Sequence, residues 1–149
     1  MMLSRRSFIL ALASGLVGAS CATLPHSEQR SLRDRLESLL TMNLSDVVHT
    51  SSTASSPRYQ FEMNVTTPHP SIYKTTLLFP DFSSIEYEQI GGRHLITEKT
   101  PRGTIEYLLI DHFYAEKRNI KENKKKKISV TEVLSYIHSL DTLRASLFR

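Results

Sequence analysis

Apolar and polar side chains alternate along "RYQFEMNVTT" (58–67). Tyr59, Phe61, Met63 and Val65 share one parity, and Gln60, Glu62, Asn64 and Thr66 the other. Period-two alternation marks an antiparallel strand with one dry face and one wet face. "SIYKTTLLF" (71–79) reads as a second strand after the break at "PHP", and "PDF" turns it. "SSIEYEQI" (83–90) and "RHLITEKT" (93–100) flank Gly91–Gly92, the signature of a two-residue hairpin loop. "TPRG" (100–103) suits a type I turn, with proline second and glycine fourth. "TIEYLLIDHFYAEK" (104–117) is the longest apolar run and is expected to form a central strand. The period changes at both ends. Leu32, Leu36, Leu39 and Leu40 make a helical stripe that Ser27 or Ser31 can cap. In 129–148, Val133, Ile137, Leu140 and Leu147 make another, opened by a Ser129–Glu132 capping box.

The two short turns fix a register. With Gly91 and Gly92 as the loop, Tyr87 faces Ile96 and Glu88 faces Leu95. With Pro101 and Arg102 as the next loop, Ile96 faces Tyr107 and Leu95 faces Leu108. Ile85, Tyr87, Ile96, Ile105, Tyr107, Leu109 and Phe113 then gather on one face. Glu86, Glu88, Thr97, Lys99 and Glu106 take the other, with Leu95, Leu108 and Ile110 as an apolar patch. A one-residue slip in either hairpin mixes the two sets, so their coherence supports both turns. The pattern predicts an α+β fold. A five-stranded antiparallel meander is flanked by an N-terminal and a C-terminal helix, in two layers with both helices on one face. "TSSTASSP" (50–57) reads as a flexible linker inside a single domain over 27–149.

Charge adds one local feature. Residues 116–127, "EKRNIKENKKKK", hold seven basic and two acidic residues. Segment 117–128 is therefore expected to be a solvated, mobile basic loop. Lys121, Lys124, Lys125, Lys126 and Lys127 are candidates for binding anionic lipid or an envelope polyanion. The body is otherwise mildly acidic, and its balance argues against nucleic acid as a partner.

The first twenty residues stand apart from this pattern. Arg5 and Arg6 precede "FILALASGLVGAS" (8–20), an uncharged apolar run shorter than the ~20 residues that span a bilayer. A basic start, a short apolar run and small residues at its end describe an export signal over 1–20. "SRRSFI" (4–9) resembles the twin-arginine translocation motif through Arg5, Arg6 and Phe8. "VGASC" (17–21) resembles a bacterial lipobox. That resemblance implies cleavage before Cys21, acylation of its thiol and a short tether over 21–26. Cys21 is the chain's only cysteine, so no internal disulfide accounts for it. Ala22 after the cysteine implies the outer rather than the inner membrane, with the domain facing the periplasm. Removing Arg5 and Arg6 leaves 17 basic and 15 acidic residues.

The body holds little recognisable chemistry. No two histidines sit at a metal-ligand spacing, no glycine-rich phosphate loop exists, and no serine has a nucleophile context. No cofactor is implied. Glu86, Glu88 and Glu106 share a face, the arrangement a carboxylate hydrolase would need and also the wet side of an ordinary sheet. The order of elements resembles small bacterial lipoproteins and lipoprotein carriers, in which helices accompany a curved antiparallel half-barrel. Together these readings predict a lipid-anchored envelope protein with a non-enzymatic binding or structural role. The alternatives are a periplasmic module holding a lipid or other apolar ligand on the sheet face, and a hydrolase using the sheet-face carboxylates.

Overall fold

The computed structural model describes residues 31–58, 60–69 and 72–148. The chain divides into two units, one ending at Asp34 and another spanning Arg35–Arg149. Of the first, the described part is the start of helix α1 (Leu32–Leu40). There Ser31 Oγ accepts the Asp34 N–H at 3.1 Å and satisfies a donor of the first turn.

The second unit is built on one antiparallel sheet of nine strands in unbroken sequence order. They are β1 (Val48–His49), β2 (Thr53–Ser56), β3 (Phe61–His69), β4 (Ile72–Leu78), β5 (Ser84–Ile90), β6 (Arg93–Thr100), β7 (Gly103–Ile110), β8 (Tyr114–Asn119) and β9 (Lys124–Lys127). Helix α2 (Val130–Leu147) follows. The fold is α+β, with an antiparallel sheet and an N-terminal and a C-terminal helix.

Both hairpin registers are as the sequence predicts. Tyr87 pairs with Ile96 and Glu88 with Leu95. Ile96 pairs with Tyr107 and Leu95 with Leu108. The inner face carries buried Met63, Leu77, Ile85, Tyr87, Ile96, Tyr107 and Leu109. Val133, Tyr136, Ile137, Leu140 and Leu143 of α2, with Leu36 and Leu39 of α1, are buried too. Each large apolar side chain removed from water contributes about 1.5–3 kcal/mol. Ser129 caps α2, its Oγ accepting the Thr131 N–H at 3.1 Å. Tyr136 packs edge-on against Tyr107, with centroids 5.4 Å apart. Arg35 of α1 pairs with Asp81 at 2.9 Å in the β4–β5 turn. Glu37 of α1 accepts the Ser139 hydroxyl of α2 at 2.6 Å.

The sheet has nine strands, not five: the two-residue β1 adds one, and three corrections account for the rest of the difference. The segment expected to be a linker (50–57) contains β2, because its small side chains fit beside β3. Thr53 Oγ1 donates to Asn64 Oδ1 at 2.8 Å there, and Ala54 and Ser56 are buried. The single strand expected over 104–117 is a hairpin, β7 and β8. Asp111 and His112 take left-handed φ of 50° and 62°, the conformation a tight hairpin loop demands. Phe113 consequently leaves the apolar face and stands in the turn, 85% exposed. The basic segment 117–128 is the end of β8, a turn and β9, rather than a loop. Backbone pairing to β8 orders four lysines that have no apolar partner to bury.

Candidate functional site

Four elements bring a polar cluster together beneath one end of the sheet. The β5–β6 loop uses Gly91 at φ 57° and sets Gln89 opposite His94 on the inner face. Tyr87, one inward position further along β5, has its hydroxyl 2.8 Å from His94 Nδ1. Their rings stack at 6.0 Å with an interplanar angle of 5°. The β7–β8 turn adds His112, 5.7 Å from His94. From β4, Tyr73 meets Tyr87 edge-on at 6.0 Å. From α2, Arg144 lies 5.7 Å from the Tyr73 ring, and its Nε is 3.9 Å from Asp141 Oδ1.

Burial governs protonation in this cluster. It drives the Tyr87 phenol well above its ordinary range, helped by the nearby Asp141 carboxylate and by Tyr73. Burial and neighbouring His112 hold His94 below its usual value, against the pull of Asp141. Burial raises Asp141, while Arg144, His138 and His94 oppose that shift. Tyr87 therefore keeps its proton, and its hydroxyl lies within hydrogen-bond reach of His94 Nδ1 at 2.8 Å and of Gln89 Oε1 at 3.4 Å. A phenol with its proton held so firmly is a poor nucleophile, so the pair is suited to positioning and packing. Tyr73 Oη, Thr75 Oγ1 and Arg144 Nε are buried with no hydrogen-bond partner among the described residues.

A second polar contact crosses the core. Glu98 on the inner face of β6 accepts the Tyr136 hydroxyl at 2.5 Å, and both residues are buried.

The outer face is laced with ion pairs. Lys99 contacts Glu86 at 3.0 Å, and Arg118 spans Glu116 at 2.6 Å and Glu106 at 3.5 Å. Tyr114 donates to Glu116 at 2.7 Å. Arg118 first, then Tyr114, hold the Glu116 carboxyl below its ordinary value. Only 5% of Glu116 is exposed because flanking side chains on the same surface cover it, not because it lies deep. Glu86 and Glu106 stand two strands apart, ~10 Å, each with a cation of its own. That is the wiring of a solvated sheet face more than of an acid–base pair. At one end of this face Ile72, Ile90, Ile110 and Tyr114 form an apolar row across β4, β5, β7 and β8, with Arg93 within it.

Lys121 lies in the β8–β9 turn, and Lys124, Lys125, Lys126 and Lys127 are β9, an exposed edge strand. The export and lipidation positions Arg5, Arg6, Phe8 and Cys21 lie outside the described residues. His94 and Glu98 escape a reading that seeks spaced ligand pairs. Their signal is parity: both share the phase of Ile96, so the predicted register already turns them inward. Among the described residues, no group of three histidine, cysteine or acidic side chains could hold a metal. No described helix is long and apolar enough to cross a membrane. No protein-family model, curated protein or solved structure matches the chain.

Proposed function

We propose that the chain is an exported, lipid-anchored protein of the bacterial envelope with a non-enzymatic binding or structural role, held at the outer membrane and facing the periplasm. One observation carries this reading. The sole cysteine, Cys21, closes an apolar run that begins just after Arg5 and Arg6. The non-enzymatic part draws support from the body, whose outer-face Glu86, Glu106 and Glu116 are occupied by cations. The Tyr87–His94 pair sits in a buried packing cluster. The lysines at 121 and 124–127 supply an anion-binding surface. Intact mass of the protein extracted from membranes tests the proposal. The expected species begins at Cys21 and carries acyl chains, and Cys21→Ser yields unacylated precursor. A mature protein that begins elsewhere and carries no lipid overturns it.

A second reading is a periplasmic module that binds a lipid or other apolar ligand on the sheet face. The outer-face row of Ile72, Ile90, Ile110 and Tyr114 favours it, since these side chains lie among salt-bridged neighbours yet remain partly open to water. Stabilisation of the domain by envelope lipids in a thermal-shift screen tests this reading.

A further inference from the structure

We infer that β9 is a docking edge for an extended acidic segment of another protein, which adds to the sheet as a tenth strand. The inference rests on the reading that the lysines engage an anion, and it names the anion's form. Among the described residues β9 pairs with β8 alone, which leaves its other side as an open edge. Glu116 pairs with Lys127, and Asn119 with Lys124. The Ile128 N–H reaches the Ala115 carbonyl at 3.0 Å, so the pairs at Ala115, Lys117 and Asn119 point their backbone groups at β9. In an antiparallel ladder the alternate residues point away. The N–H and C=O of Lys125 and Lys127 therefore face outward, four main-chain groups ready for a partner strand.

The side chains say what that partner is. Alternation places Lys125 and Lys127 on the outer face with Arg118 and Glu116, and Lys124 and Lys126 on the inner side with Asn119 and Lys117. All four are exposed. A flat anionic surface reaches one side of a strand, hence two of the four charges. An extended acidic chain lying along the edge meets all four and takes up the backbone groups as well. Lysines on an edge ordinarily keep other strands away. The same charges that repel neutral or basic strands select an acidic one. Among the described residues no acidic strand is left unpaired, because Glu62, Glu86, Glu88, Glu98, Glu106 and Glu116 lie on strands already flanked on both sides.

The test uses the mature chain and a fluorescent oligoglutamate peptide, which is acidic on both faces of an extended strand. Its comparators are the same peptide with alternate backbone nitrogens methylated, and vesicles of anionic phospholipid. Lys125→Pro removes an outward N–H where proline is tolerated on an edge, and Lys125→Ala removes only the charge. Thermal melts establish that both variants fold. The plain peptide is expected to bind. Methylation and Lys125→Pro should each weaken binding by about tenfold, and Lys125→Ala by about threefold or less. Equal binding of the methylated peptide, or equal losses in the two variants, reduces the site to plain charge attraction and overturns the strand. Vesicle binding without peptide binding also overturns it but preserves the anion-binding reading. If neither binds, both fall, while lipidation at Cys21 stands or falls by its own mass measurement.

Discussion

Tyr136 donates its hydroxyl to Glu98 at 2.5 Å, joining α2 to β6 inside the core. A buried carboxylate depends on its donors, since an unmet one keeps the full desolvation penalty. Tyr136→Phe should lower stability by about 1.5–3 kcal/mol, read as a shift of the urea midpoint. Glu98→Gln should be milder, because the amide oxygen still accepts. A Tyr136→Phe variant as stable as the parent would remove this contact from the account of the core.

The Tyr87–His94 pair makes stability depend on pH. His94 sits below its usual 6.5 when folded, so the unfolded chain binds more protons as pH drops through that region. Stability should then fall as pH drops through the unfolded value of 6.5 and continue falling below it until the folded imidazole also takes up its proton. His94→Gln should flatten that part of the curve in thermal melts. Asp81 titrates in a separate window. Half-burial pushes its carboxyl up, but the Arg35 hydrogen bond and charge, with the Ser83 contact, hold it below 3.8 overall. That contribution is present above pH 3.8 and fades only below it. A profile unchanged in His94→Gln would place the acid sensitivity elsewhere.

Two hairpin loops invite a paired test. Gly91 has φ 57°, and a Cβ there would meet nothing within 4 Å, so Gly91→Ala isolates backbone strain of about 1 kcal/mol. His112 has φ 62° with a side chain attached. His112→Gly should relieve that strain and leave stability equal or up to ~0.5 kcal/mol higher, despite losing the contact with His94. A clear loss at His112 would show that the ring contact outweighs the backbone.

Replacing Lys124 to Lys127 by serine should change stability by no more than about 0.5 kcal/mol, since all four side chains are exposed and bury no apolar surface. Any binding of anions by the parent should weaken steeply with salt, because exposed charges are screened beyond ~8 Å at physiological ionic strength. A large drop in melting temperature would mean that β9 braces the sheet.

Export has its own check. Replacing Arg5 and Arg6 together by lysine should leave uncleaved precursor in the cytoplasm if the twin-arginine route is used. Normal export of that variant, followed by immunoblotting of cell fractions, would assign the signal to general secretion.

The central hairpins were legible because their turns carry Gly91–Gly92 and Pro101–Gly103, and because the intervening strands alternate cleanly. The β7–β8 hairpin was hidden by a loop of Asp111 and His112, which lacks the expected glycine. Its flanking apolar run read as one strand. β2 and β9 were hidden by composition. Serine-rich and lysine-only stretches have no hydrophobic phase, so only pairing with β3 and β8 makes them strands. The inward polar residues His94, Gln89 and Glu98 follow from the register alone and carry no apolar signal of their own.

Because each strand pairs with its neighbours in sequence, the ladder can grow hairpin by hairpin without closing a long loop. Contacts that span long stretches fall largely to the helices, such as Glu37 to Ser139, 102 residues apart. Assembly of this molecule is therefore expected to have two tempos, with the ladder zipping locally and the last eighteen helical residues clasping it afterwards. A nascent chain that has not yet presented Val130–Leu147 carries a finished ladder with its oily side bare, the moment in its life when it most needs a chaperone.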